Sequence, residues 1–280
     1  MDNFKTIIEI LGEPYFKSQD VLLYNQDSLN ALSKLEGHIN FDLTVTSPPY
    51  NIGKEYEKVK PLQEYIEWSQ EWMSKIYNVT KDNGSFWLNV GYVPIKNKGK
   101  AVPLSYLLWD KNDFYFIQEI VWHYGAGVAA RKSLSPRNEK VLWFVKNNSN
   151  YTFNLDSIRD PNVKYPNQKK NGKLKVNPLG KNPSDVWDIP KVTSGRNRHS
   201  AERVNHPAQS PIELFKRIIL AGSNPEDLIL DPFVGSGTSC VAAKSTNRKS
   251  VGFDTNSDYL DMAIKRLHEE HVVQQALFNF

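Results

Sequence analysis

The chain has 280 residues, 40% of them hydrophobic, 24% charged and 12% aromatic, which suits a globular protein with one large α/β domain and a smaller inserted region. A formal net charge of +4 is mildly basic and selects no partner on its own; the placement of the charge matters more than its sum. No apolar run is long enough to span a bilayer and no basic region precedes an apolar core at the amino terminus, so no membrane association and a cytoplasmic location are expected. The single cysteine, Cys240, excludes an intrachain disulfide and a cysteine metal cluster, and no metal is expected.

Residues 1–20 carry no clear pattern. Leu22, Leu23 and Tyr24 predict a short strand, after which Asp27 or Ser28 caps a helix with Leu29, Leu32 and Leu35 on one face. Phe41 to Val45 predicts a buried strand that Pro48 and Pro49 must end, because neither proline can donate to a ladder. The run Thr46-Ser47-Pro48-Pro49-Tyr50 therefore lies in a stiff loop at the carboxyl edge of a sheet, where open α/β sheets place their ligands. Pro61 to Tyr77 has helical periodicity, with Trp68 and Trp72 assigned to packing. Gly84 to Val90, Phe116 to Tyr124 and Lys140 to Lys146 predict strands; Lys96, Lys98 and Lys100 fall in a solvated connection between the first two.

From residue 147 to 203 the pattern changes to prolines, weak apolar periodicity and many cations. Tyr151, Phe153, Tyr165 and Trp187 are anchors that a pure linker would lack, so the segment reads as a loop-rich module that contacts DNA. Lys169, Lys170, Arg196 and Arg198 are its candidate DNA-binding residues. An amphipathic helix over Ile212 to Ile219 follows, then an apolar strand at Leu228 to Leu230.

That strand runs into Asp231-Pro232-Phe233-Val234-Gly235-Ser236-Gly237-Thr238 and then into a helix-forming segment. Gly235 and Gly237 permit positive φ and leave room for a ligand beside the unpaired N–H groups of a helix start. Asp254, at the end of a further strand, supplies the acid that grips ribose hydroxyls at nucleoside sites. A dinucleotide fingerprint lacks its third glycine here, which weakens a nicotinamide oxidoreductase as a rival, and no Walker Gly-Lys-Ser/Thr exists.

The pairing of DPFVGSGT and a downstream Gly252-Phe253-Asp254 with an upstream TSPPY resembles the S-adenosylmethionine-dependent DNA amino-methyltransferases of the beta, circularly permuted type. The resemblance implies a class I, Rossmann-like α/β sheet with its catalytic half at 1–146, a target-recognition region at 147–203 and its cofactor half at 204–280. It implies that S-adenosylmethionine meets Asp27, Thr46, Asp231, Pro232, Phe233, Gly235, Ser236, Gly237, Thr238 and Asp254, while Ser47, Pro48, Pro49 and Tyr50 hold the target base. Ser47 in the tetrad favours cytosine N4 over adenine N6 in that family; the partners implied are double-stranded DNA, a cognate restriction endonuclease and a homodimer. The family usually has His-Pro-Thr-Gln-Lys-Pro where this chain reads His206-Pro207-Ala208-Gln209-Ser210-Pro211, so no lysine contact is expected at 210. His206 is open to two readings, a general base or a turn residue leading into the next helix.

An exocyclic amine is a weak nucleophile because its lone pair is delocalised into the ring. Acceptors for both of its N–H groups free that lone pair, and Ser47 Oγ with the Pro48 carbonyl are suited to this, while Tyr50 offers a flat face to an extruded base. Direct attack needs no thiolate, consistent with the absence of a Pro-Cys motif. The competing reading of another class is a DNA-binding module that kept the fold and lost the chemistry.

Overall fold

The structure, a computed structural model, describes residues 3–127, 129–193, 200 and 202–269. Helix α1 (Asn3–Leu11) and β1 (Phe16–Lys17) precede β2 (Val21–Asn25), α2 (Ser28–Leu35), β3 (Phe41–Thr46), α3 (Leu62–Asn78) and β4 (Thr80–Val90). A hairpin of β5 (Tyr92–Ile95) and β6 (Gly99–Pro103) leads to α4 (Ser105–Leu108), β7 (Tyr115–His123) and β8 (Asn138–Val145). A small hairpin, β9 (Lys169–Lys170) and β10 (Lys173–Leu174), is followed by β11 (Val186–Asp188), α5 (Ile212–Gly222), β12 (Leu228–Asp231), α6 (Thr238–Lys244), β13 (Lys249–Asp254) and α7 (Ser257–His268).

Nine strands form one sheet in the order β1-β2-β13-β12-β3-β4-β8-β7-β11. From β2 through β4 all neighbours are parallel, and β8 and β7 then run antiparallel to what precedes them. Every residue of β3 and β12 is buried, as expected of parallel strands covered by helices on both faces. Along β12, Ile229 faces a core layer that includes Leu214 and Val241, while Leu228 and Leu230 face the layer of Trp72 and Phe86.

Local chemistry starts the helices where the sequence says it should. Asp27 accepts from the Asn30 amide to cap α2, Asn256 accepts from the Asp258 amide to cap α7, and Gly237, at φ +78°, opens α6. The site follows from one adjacency: β12 lies beside β3, with Ile229 opposite Leu43 and Leu230 opposite Thr44. From β3 the chain proceeds through α3 to β4 on one side, and from β12 through α6 to β13 on the other. A crevice opens beyond the carboxyl ends of such a pair.

The elements without a sequence signal are short or marginal: α1, β1, α4 and the β5–β6 hairpin that carries Lys96 and Lys98 between its strands. The segment after β8 also gives a strand to the main sheet, since β11 pairs in parallel with β7 and buries Trp187. None of the helices among the described residues is long and apolar enough to cross a membrane.

Candidate active site

The ends of β3 and β12 are fastened to each other. Thr46 Oγ1 donates to Asp231 Oδ1 at 2.7 Å, Ser239 Oγ to Asp231 Oδ2 at 2.5 Å, and the Phe233 amide to Oδ1 at 3.1 Å. Burial pushes the Asp231 carboxyl up to about 6 against the pull of those donors. Asp231 thus locks the start of the glycine turn to the strand that presents the proline tetrad.

The turn itself is held from behind. Asp254 accepts from the Gly235 amide at 3.0 Å and the Asn256 amide at 2.8 Å, and burial raises its pKa. The buried Arg266 donates to the Ser236 carbonyl at 2.7 Å and to Thr238 Oγ1 at 2.9 Å. Phe233 packs its ring on Trp68 and Trp72, centroids 5.6 and 5.4 Å away, tying the turn to α3. Gly235 has φ +49°, and a Cβ there would lie 3.1 Å from His206 Nε2; a Cβ on Gly237 would lie 2.6 Å from that of Ala263.

The tetrad is fixed by a polar network that neither motif announced. Ser47 Oγ and Tyr50 Oη are 2.9 Å apart, Asn89 Nδ2 reaches Tyr50 Oη at 2.9 Å, and Glu139 Oε2 accepts from Tyr50 Oη and from Asn89 Nδ2, both at 3.1 Å. Glu139 Oε1 pairs with Lys191 Nζ at 2.7 Å. Burial, then the neighbouring Glu139 charge, hold the Tyr50 phenol well above its usual range, so it stays protonated. Tyr65 Oη donates to the Pro49 carbonyl at 2.8 Å and pins the loop to α3.

One cavity of about 1030 Å³ receives both motifs. Ser47, Pro48, Pro49 and Tyr50 line it together with Pro232, Phe233, Gly235, Ser236 and Thr238, and Asp27, Asp231 and Asp254 are also on its wall. Thr46 and Gly237 are not on that wall: Thr46 is fully buried against Asp231, and Gly237 is the α6 cap packed on Ala263. Lys169 and Lys170 are exposed in the β9 strand of the small hairpin, away from the cavity lining. Arg196 and Arg198 lie outside the described residues.

His206 lies in the same cavity wall, its ring stacked on Tyr56 at 6.1 Å and edge-on to Tyr259 at 4.5 Å. Burial, assisted by the Arg266 charge, lowers its pKa to about 4, so the ring is neutral around pH 7. Cys240 is fully buried, and burial pushes its thiol up to about 12, which removes it as a nucleophile. Asn89, Glu139 and Lys191 had no sequence signal, since each is one polar residue in a strand or loop; only the fold gathers them.

A family profile described as DNA methylase matches residues 41–265, a span that takes in both motifs and the strands that carry them. The chain belongs to this DNA methylase family. The methylase is 61% identical to Type II methyltransferase M.ScaI of Streptomyces caespitosus over 97% of this chain and 88% of that one. It is 35% identical to DNA adenine methyltransferase YhdJ of Escherichia coli (strain K12), covering 90% of this chain and 84% of the other. In fold it is similar to PvuII DNA methyltransferase (cytosine-N4-specific), with a TM-score of 0.72, 18% identity and 95% of each chain covered. The circularly permuted, Rossmann-like α/β sheet expected from the paired motifs is therefore the fold of this methylase.

Proposed function

We propose that this DNA methylase transfers a methyl group from S-adenosylmethionine to the exocyclic N4 of cytosine in double-stranded DNA, after the base is flipped into the cavity. The observation that carries the reading is the shared cavity, lined both by the Gly235 turn and by Ser47 to Tyr50. The residues present fit the cofactor: a glycine turn braced from behind, an acid at the end of β13, and no side chain on Gly235 to fill the space. When bound, S-adenosylmethionine supplies an electrophilic methyl on a sulfonium.

Ser47 Oγ and the Pro48 carbonyl accept the two amine hydrogens, keeping the nitrogen lone pair free; the alkylated nitrogen, now cationic and strongly acidic, then releases its extra proton to water. Tyr50 presents its ring to the flipped base, in a loop that the Tyr65–Pro49 hydrogen bond stiffens. No protein thiolate takes part, in keeping with the burial of Cys240. Residues 147–203 carry target recognition between a catalytic half at 1–146 and a cofactor half at 204–280. The exposed Lys169, Lys170, Lys173 and Leu174 of the small hairpin support that assignment. The likeness to a Type II methyltransferase supports a cognate restriction endonuclease sharing the DNA site.

A second reading is transfer to adenine N6, favoured by the likeness to the relative named an adenine methyltransferase. Ser47 in the tetrad favours cytosine. The decision comes from incubating double-stranded DNA with methyl-labelled S-adenosylmethionine and digesting the product to nucleosides. N4-methylcytosine is expected; N6-methyladenine would transfer the assignment to the second reading, and unlabelled DNA would leave a binding module without chemistry.

A further inference from the structure

Glu139, on β8, belongs to neither motif, yet its side chain is only 14% exposed and lies on the cavity wall. A carboxylate paired with an ammonium is acceptor-only, so each neighbour must turn a hydrogen toward it. Lys191 does so at Oε1, at 2.7 Å, its ammonium seated 3.9 Å from the centre of the Tyr124 ring. Tyr50 and Asn89 do so at Oε2, and Asn89 holds this orientation although its Oδ1 is left buried without a partner.

The consequence falls on Ser47. A phenol has one hydrogen, and that of Tyr50 is directed at Glu139 or at the nearby Asn89 carbonyl, 3.3 Å away. Across the 2.9 Å contact between the two hydroxyls, Ser47 is left to donate and Tyr50 to accept. With its own hydrogen turned toward Tyr50 and one lone pair facing Asn89 Nδ2 at 3.3 Å, Ser47 Oγ has a remaining lone pair and no hydrogen for the cavity. An exocyclic amine needs that polarity: a hydroxyl that donated instead would occupy the nitrogen lone pair required to form the new N–C bond.

We propose that Glu139 is a positioning residue that sets, through Tyr50, the direction of the Ser47 hydroxyl, and so makes Ser47 an acceptor for the target amine. The inference rests on the methyl-transfer reading above and deepens it. It gives Lys191 a role as well: a donor-only partner that fixes which oxygen of Glu139 faces Tyr50.

A charge-neutral substitution tests the polarity. In Glu139→Gln, Lys191 draws the new carbonyl to itself and leaves the amide NH₂ facing Tyr50; with Asn89 Nδ2 also donating to Tyr50 Oη at 2.9 Å, the phenol has no lone pair left for the Ser47 hydrogen, and the Ser47 hydroxyl turns away. Single-turnover methyl transfer should fall by about 100-fold, the scale of losing one preorganised hydrogen bond at a reacting centre. Affinities for S-adenosylmethionine and DNA should stay within about twofold, because the change acts on the transition state. Adding Lys191→Met removes the donor and lets the glutamine present its carbonyl to Tyr50, so the double variant should be at least about tenfold faster than Glu139→Gln alone. A double variant no faster than the single one, or a single variant as fast as wild type, would overturn the proposal.

A neutron structure of the deuterium-exchanged wild-type protein reads the same direction without turnover or substitution. The Ser47 deuterium is expected to point at Tyr50 Oη; one pointing into the cavity would overturn the inference. Failure of wild-type protein to methylate DNA would instead count against the methyl-transfer reading, while the deuterium position would still decide the hydroxyl direction.

Discussion

Thr46 Oγ1 donates to Asp231 Oδ1 at 2.7 Å, a buried hydrogen bond between residues 185 positions apart that closes the seam between β3 and β12. One partner immediately precedes the proline tetrad and the other begins the glycine turn. The spacing between the glycine turn and the proline tetrad is set at this point rather than by either loop alone.

Thr46→Val keeps the shape and removes the donor, leaving a buried carboxyl short of a partner. The cost should be about 1–3 kcal/mol in urea unfolding, accompanied by weaker cofactor binding. An unchanged unfolding midpoint would mean that the seam is held by packing alone.

The pH dependence of Asp231 has a definite sign. Burial raises its pKa from 3.8 to about 6, so the fold favours the protonated form. That contribution is fully present below the unfolded pKa and is lost as pH rises through about 6. Asp231→Asn should therefore become more stable relative to wild type as pH rises between those values, by on the order of 2 kcal/mol. Unfolding measured at pH 4 and pH 7 checks it; a stability difference that is flat with pH, or that moves toward wild type, contradicts the burial account.

Two substitutions should separate the walls of the cavity. Ser47→Ala should lower turnover with little effect on cofactor affinity, because the role proposed for Ser47 is toward the amine. Gly235→Val should do the reverse: φ is +49°, and the side chain would crowd His206 and fill the cofactor space. Isothermal titration with S-adenosylmethionine and single-turnover rates report the two effects separately, and a Gly235→Val protein that binds the cofactor normally would place the pocket elsewhere.

Removing charge from the small hairpin by Lys169→Gln with Lys170→Gln should weaken DNA binding and reduce the slope of log affinity against log salt by about 2, one for each lost phosphate contact. Fluorescence anisotropy at several salt concentrations reads that slope directly, and an unchanged slope assigns both lysines to solvent.

What the sequence made legible follows from where the chemistry is local. Asp27 as a cap, the strand ended by Pro48 and the turn at Gly235 depend on residues within a few positions of each other, and the structure has all three. Thr46 and Gly237, which the family resemblance places at the cofactor, are not among the residues lining the cavity: Thr46 is buried against Asp231 and Gly237 packs on Ala263, and a motif names positions without telling which of them face the open space. Glu139 and Lys191 were invisible because their pairing spans 52 positions and carries no motif. Short elements such as the β5–β6 hairpin and β11 gain their order from neighbours rather than from their own pattern.

Transfer from S-adenosylmethionine carrying a chiral methyl group (hydrogen, deuterium and tritium on one carbon) tests most directly whether the two walls face each other across a single displacement. Inversion of configuration at the methyl recovered from DNA is the predicted result. Retention would require a methylated protein intermediate and a second displacement, which contradicts the direct geometry of this cavity.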